Sequence, residues 1–341
     1  MPERRKSVTM SDVAREAGVS VTTVSHVLNQ TAPISSETAE RVLEAIHKTN
    51  YKPLVRTEAA FTGENRTIGI LVPDISNEFY SRFAQMIYNT SWDNGYTALL
   101  CGMRHGKQVG LRYVKELIRN GINGLIIVGN SMEEKHILSA AERIPVVLGD
   151  CHILNHPVSS VITDNGGAMR QLIKRLKNTG YKRIGYISQD MALSNVHERY
   201  MGFKMGLEEN GLPFIEKEMI TSEFLRHDKI TSAYQLFKTK LTKKEPLAEV
   251  YVCSSDLIAV GVLAALSEAG HRVPRDVGVV GFDNISLAAY TRPPLTTVAQ
   301  NIEQLGRCCF NTLLRRIKNK NEPVQQTVIT TKLVVRESVR L

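Results

Sequence analysis

Between positions 67 and 283 the chain repeats one pattern: a short run of β-branched and aliphatic residues, then a longer stretch whose apolar positions recur at helical spacing. Seven such runs stand out, at 68–72, 97–100, 125–128, 146–148, 184–187, 250–252 and 277–282. A strand apolar on both faces must be covered on both faces, and strands that alternate with helices are joined by crossovers. The pattern therefore predicts an α/β fold with parallel sheets between layers of helices. The runs fall into two clusters, roughly 67–162 and 183–283, and residues 297–341 add a helix and a final strand. We expect two doubly wound lobes, 67–162 with 293–322 and 163–292 with 323–341, separated by a cleft. In open α/β sheets ligands gather beyond the carboxyl ends of the strands, here residues 73–80, Asp150 onward, 254–256 and Asp283.

The first 53 residues differ in kind. Thr9 and Asp12 have the spacing of a capping box before Val13, Ala14 and Ala17, and Gly18 supplies a break. Ser20 can cap a second helix with Val24, Val27 and Leu28 on its inner side and Val21, Thr22, Ser25, His26 and Asn29 outside. After Pro33, Ser35 or Ser36 caps a third helix in which Ala39, Val42, Leu43 and Ile46 recur at one face. Two helices joined by a short turn, the second exposing small polar residues at its start, are what the major groove of B-DNA admits. Residues 1–53 therefore predict a three-helix, helix-turn-helix headpiece that binds DNA, and 54–66, without strong periodicity, a linker.

Composition is compatible with this but does not carry it. The 341 residues are 43% hydrophobic with a formal charge of +9, enough for several domains and suited to a polyanionic partner. Yet residues 1–62 hold eight Lys/Arg against seven Asp/Glu, so the DNA-facing part is nearly neutral. The five cysteines are scattered without a C-x-x-C pair, which argues against a disulfide framework and a zinc site. No apolar stretch approaches the roughly 18 residues of a membrane span and no signal-peptide region follows the N-terminus, so the expected location is the cytoplasm.

Enzyme signatures fail in turn. Gly102 to Lys107 has the wrong glycine spacing for a phosphate loop, no G-x-S-x-G elbow occurs, and His152 and His156 stand in sequence that favours a loop over a metal-binding helix. We expect no catalytic residue, metal or cofactor.

At 12–29 (DVAREAGVSVTTVSHVLN) the sequence resembles the lactose-repressor (LacI/GalR) family of transcription regulators. The resemblance continues through 50–53 (NYKP), 68–80 (IGILVPDISNEFY), 124–127 (GLII), 199–203 (RYMGF), 255–259 (SDLIA), 280–284 (VGFDN) and 294–297 (PLTT), covering essentially the whole chain. It implies a type I periplasmic-binding-protein-like effector domain behind the headpiece. By the same resemblance Val21, Thr22 and His26 read bases, while Ser20, Thr23, Ser25, Asn29 and Tyr51 position the phosphate backbone. His26 stands where the family usually carries arginine, and imidazole offers at most one good bond to guanine against arginine's two, so a shifted or looser operator is expected. In the linker, Ala60 stands where a minor-groove leucine wedge is usual, so the wedge passes to Phe61 or is absent.

For the effector, the resemblance points to Asn77, Phe79, Arg199, Phe224 and Asp283 from both lobes. The expected protein is a homodimeric repressor of a carbohydrate-utilisation operon, reading pseudo-palindromic operator DNA and controlled by a small molecule, a sugar or sugar derivative. Pentoses, hexoses, glycosides and purines all suit one Arg, one Asp and two Phe. Two alternatives are a solute-binding protein of the transport type, which needs export and lacks a headpiece, and a global regulator controlled by a protein partner.

Overall fold

The computed structural model describes residues 8–29, 32–49, 51, 66–103, 107–129, 132–226 and 228–341. The chain divides into two compact units, Met1–Asn65 and Arg66–Leu341. The expected linker, with Ala60 and Phe61, lies outside the described residues apart from Arg66.

In the first unit, α1 (Met10–Ala17), α2 (Val21–Asn29) and α3 (Ser36–Thr49) surround one small core. The capping box forms, with Asp12 accepting from both the Thr9 N–H and its hydroxyl. Gly18 adopts φ +66°, a conformation that costs a β-carbon-bearing residue, and so turns the chain sharply between α1 and α2. Ser20 Oγ accepts the Thr23 N–H at 3.0 Å, and Ser35 Oγ that of Thr38 at 3.4 Å. Caps of this kind stabilise a short helix by ~1 kcal/mol each. Val13, Ala14, Ala17, Val24, Val42 and Ala45 are buried, with Val27, Leu28, Ile46 and Tyr51 packed around them. Leu43, expected on the inner face of α3, is instead 57% exposed. The buried row runs through Val42 and Ala45, and a residue directly after Val42 is turned about 100° away from it.

The second unit holds two six-stranded sheets. The first has the order β11-β5-β4-β3-β1-β2, from β1 (Thr67–Val72), β2 (Thr97–Gly102), β3 (Gly124–Val128), β4 (Val146–Gly149), β5 (Ser159–Thr163) and β11 (Gln326–Ile329). The second has the order β12-β10-β9-β8-β6-β7, from β6 (Ile184–Ser188), β7 (Met219–Thr221), β8 (Val250–Cys253), β9 (Gly278–Asp283), β10 (Thr296–Ala299) and β12 (Lys332–Val334). Every pairing is parallel except β10 with β12. Burial of β3, β4, β6, β8 and β9 along their whole length explains why these strands read as unbroken apolar runs. The helices are α4 (Glu78–Asp93), α5 (Lys107–Arg119), α6 (Glu134–Ala141), α7 (Asn165–Asn178), α8 (Ser194–Glu209), α9 (Lys229–Thr242), α10 (Asp256–Glu268) and α11 (Ile302–Lys318).

The chain passes between lobes three times: after β5, after β10, and between β11 and β12. This corrects the expected division at 293–341. β10 pairs with β9 in the second lobe, whereas α11 packs on the first-lobe core and β11 pairs with β5 in the first. The spacing of apolar residues in one helix or strand does not say which of two sheets it covers. β5, β7 and β10 were not legible as strands because their sequences, SSVIT, MIT and TTVA, carry too few apolar residues. Where one final strand was expected, two short ones stand.

Candidate functional site

Two surfaces hold the residues singled out from the sequence. On the headpiece, α2 presents Val21, 45% exposed, and Thr22 to solvent at its first turn, with His26 one turn on and half-buried. Ser20 and Thr23 are linked hydroxyl to hydroxyl at 2.8 Å beside them. Ser25 is half-buried, and Tyr51 packs on the headpiece core while its N–H donates to the Ile46 carbonyl at 3.2 Å. Asn29 ends α2. Exposed small side chains at a helix start let its backbone approach a groove floor closely, while the caps fix its register.

The second surface is the cleft between the two sheets, with about 350 Å³ of empty space counted out into open solvent. Asn77, Phe79, Arg199 and Asp283 all line it. Asn77 caps α4, its Oδ1 accepting the Phe79 N–H at 3.1 Å, and Phe79 serves both cleft and core at 3% exposure, edge-on to Phe83. Phe224 does not reach the lining. It is 69% exposed on a 3-10 turn whose buried position is taken by Leu225.

Arg199 is the centre of the site. A Cβ at Gly202 would lie 2.5 Å from the Gly166 carbonyl oxygen, so glycine there lets α8 approach α7 closely enough to bring Arg199 against Asn165, the first residue of α7. Arg199 Nε donates to Asn165 Oδ1 at 2.8 Å and Nη1 to the Ser254 carbonyl at 2.7 Å. Its guanidinium lies 3.8 Å above the Phe282 ring, and Nη1 is 3.6 Å from Asp283 Oδ1. Asp283 ends β9 at φ +111°, an uncommon conformation for a residue with a side chain. Gln300, buried at the second crossover, donates to Asp283 Oδ1 at 2.7 Å and accepts from Thr163 at the first, so the cleft-lining carboxylate is tied to both crossovers. Burial raises the Asp283 carboxyl above the usual range, against the opposing pull of Arg199 and Lys229.

Several residues outside the expected set complete the site. Asp150, 1% exposed and directly after β4, accepts from Asn195 Nδ2 at 2.7 Å through one oxygen, while its Oδ1 has no partner among the described residues. Burial, only partly offset by Arg199, pushes its carboxyl up to about 7. Gln189 Oε1 and Ser255 Oγ are likewise buried without a partner among the described residues. Asp150, Gln189 and Ser255 follow strand ends, and the strand-end rule had marked the stretches after β4 and β8 without choosing among their residues. Asn195 and Lys229 carry no such signal.

Contacts across the mouth hold the lobes together. Ser286 donates through its N–H at 2.8 Å and its hydroxyl at 2.7 Å to Glu78 Oε1, and the His152 N–H donates to Ser194 Oγ at 3.2 Å. His152 Nδ1 also lies 3.2 Å from Glu198 Oε1, and Glu198 Oε2 accepts from Asn165. Glu198 thus sits between His152 at the mouth and Asn165, which in turn holds Arg199.

The sequence model for bacterial regulatory proteins of the lacI family matches residues 9–53, and that for a periplasmic binding protein-like domain matches 173–339. The HTH-type transcriptional repressor PurR of Photorhabdus laumondii is 33% identical over 338 residues, covering 97% of this chain and 96% of that protein. The chain belongs to the lacI family. As a lacI-family member it is a DNA-binding transcription regulator and not an enzyme. Among solved structures, a complex of the regulator CelR with cellobiose superposes with a TM-score of 0.71 at 28% identity, covering 97% of this chain and 99% of that one. A LacI-family regulator from Enterococcus faecium with bound ribose gives 0.69 at 28%, covering 80% and 98%. Among the described residues of this regulator, no helix is long and apolar enough to cross a membrane, and no group of three or more His, Cys, Asp or Glu could hold a metal ion.

Proposed function

We propose that this regulator is a homodimeric repressor of a carbohydrate-utilisation operon, reading a pseudo-palindromic operator through α2 of each headpiece and releasing or gripping it as a sugar-like effector binds between the lobes. The observation that carries the effector class is the set of buried polar oxygens without partners among the described residues: Asp150 Oδ1, Gln189 Oε1 and Ser255 Oγ belong to residues lining a cleft centred on the Arg199–Asp283 pair. A buried polar atom without a partner costs about 1–3 kcal/mol, and a ligand carrying several hydroxyl donors removes that cost. A purine, the reading that the name of the PurR relatives invites, offers fewer donors and more ring face. The relatives solved with cellobiose and with ribose support the sugar reading.

Dimerisation is supported by one edge of the first lobe. β2 ends the sheet, and Leu99 (41%) and Leu100 (50%) are exposed on it, with Tyr88 (44%) and Trp92 (68%) exposed on α4. An apolar sheet edge left open invites aggregation, and a second copy of the chain covers it symmetrically. Base reading is assigned to Val21, Thr22 and His26, and backbone positioning to Ser20, Thr23, Ser25, Asn29 and Tyr51.

The test is selection of bound duplexes from a random pool by the full chain, followed by titration of sugars into the complex. Expected are an inverted repeat and a severalfold change in operator affinity with at least one sugar. Asymmetric sites, or a purine acting where every sugar is inert, would overturn the corresponding part.

A further inference from the structure

Lys229, the first residue of α9, lines the cleft beside Arg199, Asp150 and Asp283. Among the described residues it makes neither a hydrogen bond nor an ion pair; burial lowers the pKa of its ammonium, and the nearby Asp283 and Asp150 oppose that shift. Asp283 pairs with Arg199 and accepts from Gln300, and Asp150 accepts from Asn195 through one oxygen only. Arg199 has donors to spare as well: its bonds use Nε and Nη1, leaving Nη2 unbonded among the described residues. An ammonium in a narrow cleft without a partner is costly unless an anion arrives with the ligand.

We infer that the effector is a sugar acid, a polyhydroxylated carboxylate whose charged group is held by Lys229 and the unused Nη2 edge of Arg199 while its hydroxyls donate to Asp150, Gln189 and Ser255. This rests on the reading of the cleft as a sugar site and narrows it. A monoanion matches the local charge better than a phosphate dianion, because two carboxylates share the cleft. Lys229 thereby becomes the residue that separates acids from neutral sugars.

The full chain is titrated calorimetrically with three matched sets: D-glucose, D-glucuronate and D-glucose 6-phosphate; D-galactose, D-galacturonate and D-galactose 1-phosphate; and D-xylose with D-xylonate. The expected result is at least one acid bound on the order of tenfold or more tighter than its neutral parent, with the K229M variant closing that gap and K229R keeping most of it. Thermal melting of the variants, monitored by circular dichroism, verifies that they fold. A neutral sugar bound as tightly as its acid, a phosphate preferred over the carboxylate, or a gap unchanged in K229M overturns the inference while the sugar reading stands. No binding of any member of the sets to the folded wild-type chain overturns both.

Discussion

Replacing Asp150 with asparagine should make the effector-binding unit more stable and less responsive. In the folded chain this carboxyl is 1% exposed, and burial moves its pKa from 3.8 to about 7. At roughly 1.36 kcal/mol for each tenfold change in proton affinity, that difference is about 4 kcal/mol. Below about pH 4 the group is protonated in both folded and unfolded chains and costs nothing. Between there and pH 7 the unfolded chain releases the proton while the folded chain keeps it, so stability falls with rising pH, and above 7 the whole cost is present. Asparagine removes the charge, tolerates the φ of +56° found at this position, and still offers an oxygen to Asn195. Denaturant melts of wild type and Asp150→Asn at pH 5, 6, 7 and 8 should therefore diverge, by about 1–2 kcal/mol at pH 5 and about 4 kcal/mol at pH 8. The same substitution puts an amide donor where Oδ1 accepts, so sugar affinity should fall. Parallel stability profiles across this range, or a variant less stable than wild type at pH 8, would refute the assignment of a buried, burial-perturbed carboxyl.

Gly202→Ala forces a Cβ to within 2.5 Å of the Gly166 carbonyl oxygen, so α8 must move off α7; a loss of about 1–3 kcal/mol in denaturant melts is expected, with weakened effector binding because Arg199 moves too. Gly18→Val, at φ +66° between α1 and α2, should cost about 1–2 kcal/mol of headpiece stability and reduce operator affinity in a gel-shift assay while effector affinity by calorimetry is unchanged. Glu78→Ala removes the acceptor of the Ser286 N–H and hydroxyl across the cleft mouth, which should weaken effector binding severalfold, about 1 kcal/mol, and raise the radius of gyration in solution scattering.

The helix-turn-helix was legible because everything that makes it is local. A capping box spans four residues, a left-handed glycine marks the turn, and the inner face of α1 repeats within two turns, so Thr9, Gly18 and Ser20 announce the headpiece without reference to the rest of the chain. Leu43 was misplaced by the same reasoning, since apolar identity alone does not say whether a small three-helix core has room for it. The central strands were legible because being covered on both faces demands unbroken apolar runs. β5, β7 and β10 were not, since polar or very short strands gain their place from neighbours in the sheet.

For the cleft the division is sharper. The sequence by itself marked the strand ends at 73–80, Asp150 onward, 254–256 and Asp283, while Asn77, Phe79, Arg199 and Asp283 were named by family resemblance; all four of these line the cleft. Only the tertiary structure decided that Asn195 and Lys229 join them, that Phe224 stays outside, and that Gln300 ties Asp283 to two crossovers. The physical reason is distance along the chain. Caps, turns and buried runs are set by neighbours a few residues away, whereas the Arg199–Asn165 bond joins residues 34 apart that meet only when α8 packs on α7, and the Asp150–Asn195 bond joins residues 45 apart that meet only when the two sheets face each other.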